Sequence, residues 1–269
     1  MMPTRLSAVL AALVIMTAPA KAQETVLLHA AGSLRAALTD VARDFEAAGG
    51  GKVQAKFGPS GLLKDEIAGG AKAEVFASAN MEHPQALASA MRSAPVVLFA
   101  RNRLCALVRP GLEVTTASLL ERMLDPQVKL GTSTPKADPS GDYAWEVFRK
   151  AEEINVGAYA VLQKKALQLT GGPTSPPAPQ GRSIYGELLA QGTADIFLTY
   201  CTNALAAQRE NSTQRIVQLP DALAVGADYG LTVMNGASVP AFEFALFILS
   251  AEGQRTMAKH GFAAPALPQ

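Results

Sequence analysis

The chain has 269 residues, 49% hydrophobic and 17% charged, which excludes a disordered tail and is too much sequence for a single small core. Lys plus Arg number 24 against 23 Asp plus Glu, and a balance of +1 leaves no basic surplus for nucleic acid or an anionic membrane. The 22 Gly and 17 Pro indicate many tight turns between short elements.

Residues 1–22, MMPTRLSAVLAALVIMTAPAKA, have the layout of a secretory signal peptide. Arg5 gives the positive start, Leu6 to Met16 the apolar run, and Ala20-Lys21-Ala22 an A-x-A cleavage pattern. The run is shorter than the roughly 20 apolar residues that a spanning helix needs. An exported protein with a mature start near Gln23 is the expectation. Two cysteines, Cys105 and Cys201, are an even count for an oxidising compartment. They are read either as a disulfide closing a loop of almost a hundred residues or as two buried thiols.

Along the mature chain, short β-like runs alternate with helical stretches. Residues 26–31 form an apolar run, followed by Leu34, Leu38, Val41, Ala42 and Phe45 at helical spacing. Residues 52–57 alternate as a strand, Ser60 opens a helix, and 74–79 form a third strand. Residues 95–108 are a long strand interrupted by Arg101-Asn102-Arg103. A helix over 117–124, a strand over 129–133 and helices from Ser140 and over 155–169 come next. The Gly- and Pro-rich stretch 171–181 is a loop. Beyond it lie a helix (183–189), a strand (195–200), two β-like runs (215–219 and 229–234), an amphipathic helix (240–249) and a short one to His260. Repeated strand–helix units predict a mostly parallel α/β sheet.

Enzyme signatures are missing from the sequence. His29, His83 and His260 have no ligand-pair or H-E-x-x-H spacing, and there is no G-x-S-x-G or G-x-G-x-x-G. What recurs is serine at strand-to-helix junctions: Ser33 after the first strand, Ser60 after the second, Ser140 after a third, and Ser183 opening another helix. Each is a plausible N-cap. Four such junctions at carboxyl ends of strands also describe where open α/β sheets bind ligands, facing helix N-termini that favour an oxyanion.

These residues carry a family resemblance. AAGSLRAALTDVARDFE, KFGPSGLLKDEIAGGAKAEVFASANMEHP, TPKADPSGDYAWEVF and GELLAQGTADIFLTYCTNA resemble, in order and spacing, segments of the periplasmic molybdate-binding proteins, solute receptors of molybdate ABC importers. The resemblance runs from about Val26 to Phe262. It implies an α/β, two-lobed periplasmic binding protein of type II, each lobe a mostly parallel sheet flanked by helices, with the ligand in the interlobe cleft. Lobe 1 would comprise 23–103 and 217–269, and lobe 2 would comprise 104–216.

The resemblance further implies a non-enzymatic, monomeric receptor in the periplasm. It would capture molybdate or tungstate without a cofactor and deliver it to an ABC permease in the inner membrane. Ser33 and Ser60 match serines that hold the oxyanion, and Tyr200 matches a tyrosine that gives its hydroxyl. Ser140 and Arg182 fall where the family offers backbone N–H groups, with Ser183 beside Arg182. No metal ion of its own is implied, only the molybdate oxyanion. Arg182 contributes either its amide alone or a formal cation. In the latter case, sulfate, phosphate or a small carboxylate is the alternative ligand, and an exported enzyme on the same scaffold is the remote one. Asp138 and Asp142, flanking Ser140, are either acceptors for a protonated anion or solvated helix-start acids.

Overall fold

In β1, Val26–Ala31, five of six residues are buried. Strands covered by helices on both faces read as unbroken apolar runs rather than as an alternation. This strand opens the computed structural model of the chain, which describes residues 24–177 and 181–265. The expected leader, 1–22, lies outside the described residues. α1, Arg35–Ala47, turns Ala37, Leu38, Val41, Ala42 and Phe45 inward at helical spacing. β2 (Val53–Gly58), α2 (Ser60–Ala68), β3 (Val75–Ser78) and α3 (Glu82–Ser89) follow.

β4, Val97–Val108, runs through Arg101-Asn102-Arg103 without a break, with a register shift only between Leu98 and Ala100. The polar triplet marks a change of partner instead. Residues 97–103 pair with β9, Gly226–Val233. Residues 104–108 pair on one side with β7, Ile196–Tyr200, and residues 105–108 on the other with β8, Arg215–Gln218. Arg101 answers its exposure with an ion pair to Asp228 at 3.0 Å.

Between these pairings lie α4 (Leu119–Leu124), β5 (Leu130–Ser133), α5 (Pro139–Ile154), α6 (Ala158–Lys165), β6 (Leu167–Thr170), α7 (Ile184–Ala190) and α8 (Cys201–Glu210). α9 (Val239–Leu249) and α10 (Ala251–Lys259) return to pack on α1. The helix expected over 155–169 therefore ends at Lys165. Its last residues become β6, parallel to β5, since Leu167 and Leu169 satisfy a strand period as well as a helical one. α3 and α8 were not expected.

The sheet order is β2-β1-β3-β9-β4-β7-β5-β6, with β8 against β4. The outer three strands at each end run parallel, and the joins through β4, β8 and β9 are antiparallel. The helices cover this curled sheet. All of β8 pairs with the second half of β4, and the chain passes from β8 to β9 through residues 219–225. Rings tie the halves together behind the cleft. Tyr229 lies edge-on to Tyr200 at 5.6 Å, to Phe262 at 5.4 Å and to Phe99 at 6.3 Å, and Tyr200 lies edge-on to Tyr143 at 6.2 Å. No helix among the described residues is long and apolar enough to cross a membrane.

Candidate functional site

Five strand ends, of β1, β2, β3, β6 and β7, converge on one cavity of about 330 Å³ between the two halves of the sheet. From the first half come Ser33, after β1, and Ser60, the first residue of α2 after β2; Ala79, just past β3, joins them. From the second half come Asp138, the N-cap of α5, and Tyr200, which ends β7 and caps α8. Parallel strands deliver their carboxyl ends to one edge of a sheet, so these junctions meet although 167 residues of chain (33 to 200) separate the outermost.

The donors are fixed by local bonds. Ser60, 1% exposed, accepts the Ala79 N–H at 3.1 Å, which leaves its own proton to give. The hydroxyls of Tyr143 and Tyr200 donate to the Ala79 carbonyl at 3.4 and 3.5 Å. Ser33 Oγ lies 3.0 Å from Tyr229 Oη, and Asn102 donates to that same tyrosine at 3.3 Å. Burial pushes the Tyr143, Tyr200 and Tyr229 hydroxyls well above their ordinary value, so all three keep their protons at neutral pH. Backbone closes the seam as well: Gly61 N–H donates to Ala137 O at 3.0 Å. A Cβ on Gly61 would collide with the Lys136 carbonyl oxygen.

Not every expected residue arrives. Ser140 is fully buried, does not line the cavity, and spends its N–H on Asp138 Oδ1 at 3.0 Å; its Oγ has no partner. Arg182 is exposed and outside the cavity lining. Ser183 caps α7, accepting from Gly186 N–H at 3.4 Å, and its own N–H goes to both Glu210 oxygens at 2.9 Å. The first turn of α7 instead presents Ile184 and Tyr185 to the cavity. The cation that does line it is Arg35, whose guanidinium sits 4.7 Å from the centre of the Phe57 ring.

Asp138 is the acid of the cavity. Burial pushes its carboxyl up to about 6, against hydrogen bonds from Ser140 N–H and Ser133, and the charge of Asp142 adds to the rise. Gly171, with φ +75, lets the loop after β6 approach so closely that a Cβ there would lie 2.5 Å from Asp138 Oδ2. Cys105 and Cys201 form a disulfide with Cα atoms 4.9 Å apart. Cys201 follows Tyr200, so the bridge fastens the start of α8 to β4. Among the described residues, no group of three or more His, Cys, Asp or Glu could hold a metal ion, and no histidine lines the cavity.

A sheet of this order with a donor-lined cleft between its halves defines a solute-binding protein. Residues 26–263 match the family of bacterial extracellular solute-binding proteins, and the chain belongs to it. An uncharacterized protein of Pasteurella multocida is 34% identical over 212 residues, 78% of this chain and 87% of that one. The molybdate-binding protein ModA of Mycobacterium bovis is 26% identical over 260 residues, 92% of this chain and 87% of that one. The sulfate-binding protein SubI of Mycobacterium tuberculosis shares the fold with a TM-score of 0.70 and 17% identity, over 89% of this chain and 86% of its own.

Proposed function

We propose that this protein is the periplasmic receptor of an ABC importer and captures a small oxyanion, molybdate or tungstate, in the cleft. One observation carries the reading: the hydroxyl-bearing residues Ser33, Ser60 and Tyr200 line a single cavity between the two halves of the sheet. Hydroxyl donors stabilise a dianion through charge-assisted hydrogen bonds, each stronger than a neutral one. A relative named as molybdate-binding over 92% of the chain supports the choice of anion. The lobes are taken as 23–103 with the return after β8, and the second half between them. They move about β4 and the 219–225 crossing, and the closed form docks as a monomer on the permease. Residues 1–22 direct export.

A second reading keeps the receptor and changes the anion to sulfate, phosphate or a small carboxylate. Arg35 supports it, because it brings a formal cation to the cavity wall, where Arg182 is not among the lining residues. A thermal-shift and calorimetric screen of the mature protein against molybdate, tungstate, sulfate, phosphate and small carboxylates separates the two. Stabilisation by molybdate and tungstate at concentrations where sulfate has no effect supports the first. Equal or greater stabilisation by sulfate or phosphate, lost on Arg35→Ala, replaces it with the second.

A further inference from the structure

A lone acid in an anion site needs an account. Among the described lining residues, Asp138 is the one acid and Arg35 the one cation, and Asp138 forms no ion pair. Only one of its oxygens has a backbone donor, Ser140 N–H on Oδ1. A carboxylate and a fully deprotonated oxyanion in one small cavity repel each other, and neither has a proton to give.

The groups around Asp138 leave that repulsion uncompensated. On its own helix Asp142 faces it with a like charge. β5 offers Ser133, and β6 and the loop after it offer Thr170 and Gly171, none of which titrates in this range. α7 and β7 offer Tyr185 and Tyr200, and β9 offers Tyr229; burial keeps all three neutral. Across the cavity α1 offers Arg35, exposed and stacked on Phe57. A proton is therefore the available neutraliser.

We propose that Asp138 takes up one proton when the site captures a fully deprotonated oxyanion, so that the bound anion and the carboxyl share a single hydrogen bond with Asp138 as donor. This rests on the reading of the cavity as an oxyanion site. In the empty site the carboxyl titrates near 6, and a dianion beside it raises that further. Below this range the proton is already in place and affinity is flat. Above it, each pH unit costs up to about tenfold in affinity until the bound form also ionises. Asp138→Asn carries a permanent N–H donor without charge, and Asn caps a helix as well as Asp does.

The test uses molybdate as the probe and calorimetry of the mature wild type in two buffers of different ionisation heat near pH 7.5. The expected result is uptake of about one proton per molybdate and a dissociation constant that rises about tenfold per pH unit above 6. Asp138→Asn is expected to take up none, and to bind molybdate more tightly than wild type near pH 8, by up to about 100-fold. Tight wild-type binding with no proton uptake overturns the inference and leaves the oxyanion reading standing. The same uptake and pH slope in Asp138→Asn also overturns it. No molybdate or tungstate binding by the wild type at any pH overturns the oxyanion reading and this inference with it. If Asp138→Asn does not fold, the wild-type proton count decides alone.

Discussion

Ser60 Oγ accepts the backbone N–H of Ala79 at 3.1 Å, joining the first turn of α2 to the end of β3 at the floor of the cavity. Both residues are almost fully buried, at 1% and 2% exposure. The hydroxyl therefore has two tasks, holding a strand end and offering its proton to a ligand. Ser60→Ala leaves the Ala79 amide buried without an acceptor, which costs about 1–3 kcal/mol of stability in the empty protein. Denaturant unfolding of the ligand-free variant measures this, and an unchanged midpoint would mean that the amide finds another partner.

Tyr200 and Arg182 make a contrasting pair. Tyr200→Phe removes a hydroxyl from the cavity wall and is expected to weaken anion binding by about 1–3 kcal/mol, the range for a hydrogen bond to a charged partner. Arg182→Ala, at an exposed position off the cavity, is expected to leave affinity within about 0.5 kcal/mol of wild type. Calorimetric titration of both variants with molybdate checks the assignment, which fails if Arg182→Ala is the weaker binder.

Asp138 also leaves a mark on the empty protein. Its carboxyl sits near 6 in the fold against about 3.9 in an unfolded chain. The folded state thus holds the proton over that window while the unfolded state has released it, so stability falls as pH rises from about 4 to 6 and stays lowered above. Asp138→Asn is expected to raise ligand-free stability by on the order of 3 kcal/mol at pH 7.5, with the gain vanishing near pH 4. Thermal unfolding of both proteins across this range measures the difference; a constant gap at every pH would assign it to something other than titration.

The disulfide spans 96 residues of sequence. In the chain-entropy account a loop of that size stabilises by on the order of 4 kcal/mol. Reductant is expected to lower the melting temperature of the wild type and to leave Cys105→Ser/Cys201→Ser unaffected. Equal melting with and without reductant would argue against a bridge in the purified protein.

Much of this was readable in the chain, and the exceptions have physical causes. β1 announces itself because its buried run V-L-L-H-A-A lies between turn residues. The junction serines stand out because Gly and Pro surround them. The 18-residue spacing from Arg182 to Tyr200 counts chain length, whereas the first turn of α7 decides which side chains face the cavity, and there Ile184 and Tyr185 line it while Arg182 is exposed. β6 was hidden because L-Q-L-T extends a helix as readily as it begins a strand. Asp138 was visible as a helix-start acid, but its enclosure depends on β5, β6 and α7 folding around it, which local sequence does not encode. The unbroken course of β4 was obscured by Arg101-Asn102-Arg103: Arg101 pairs with Asp228, and the Asn102 amide donates to Thr202 and Tyr229, all from distant parts of the chain.

The bridge from Cys105 to Cys201 also closes the chain between them into a covalent ring that includes β5, α5, β6, α7 and β7. The Pro-rich stretch 171–181 lies within that ring. A protease cut there therefore opens the backbone without releasing a fragment: the nicked protein runs as one species on a non-reducing gel and as two on a reducing one. Tyr200 would stay tethered through sulfur to Ser60 and Asp138 across such a break.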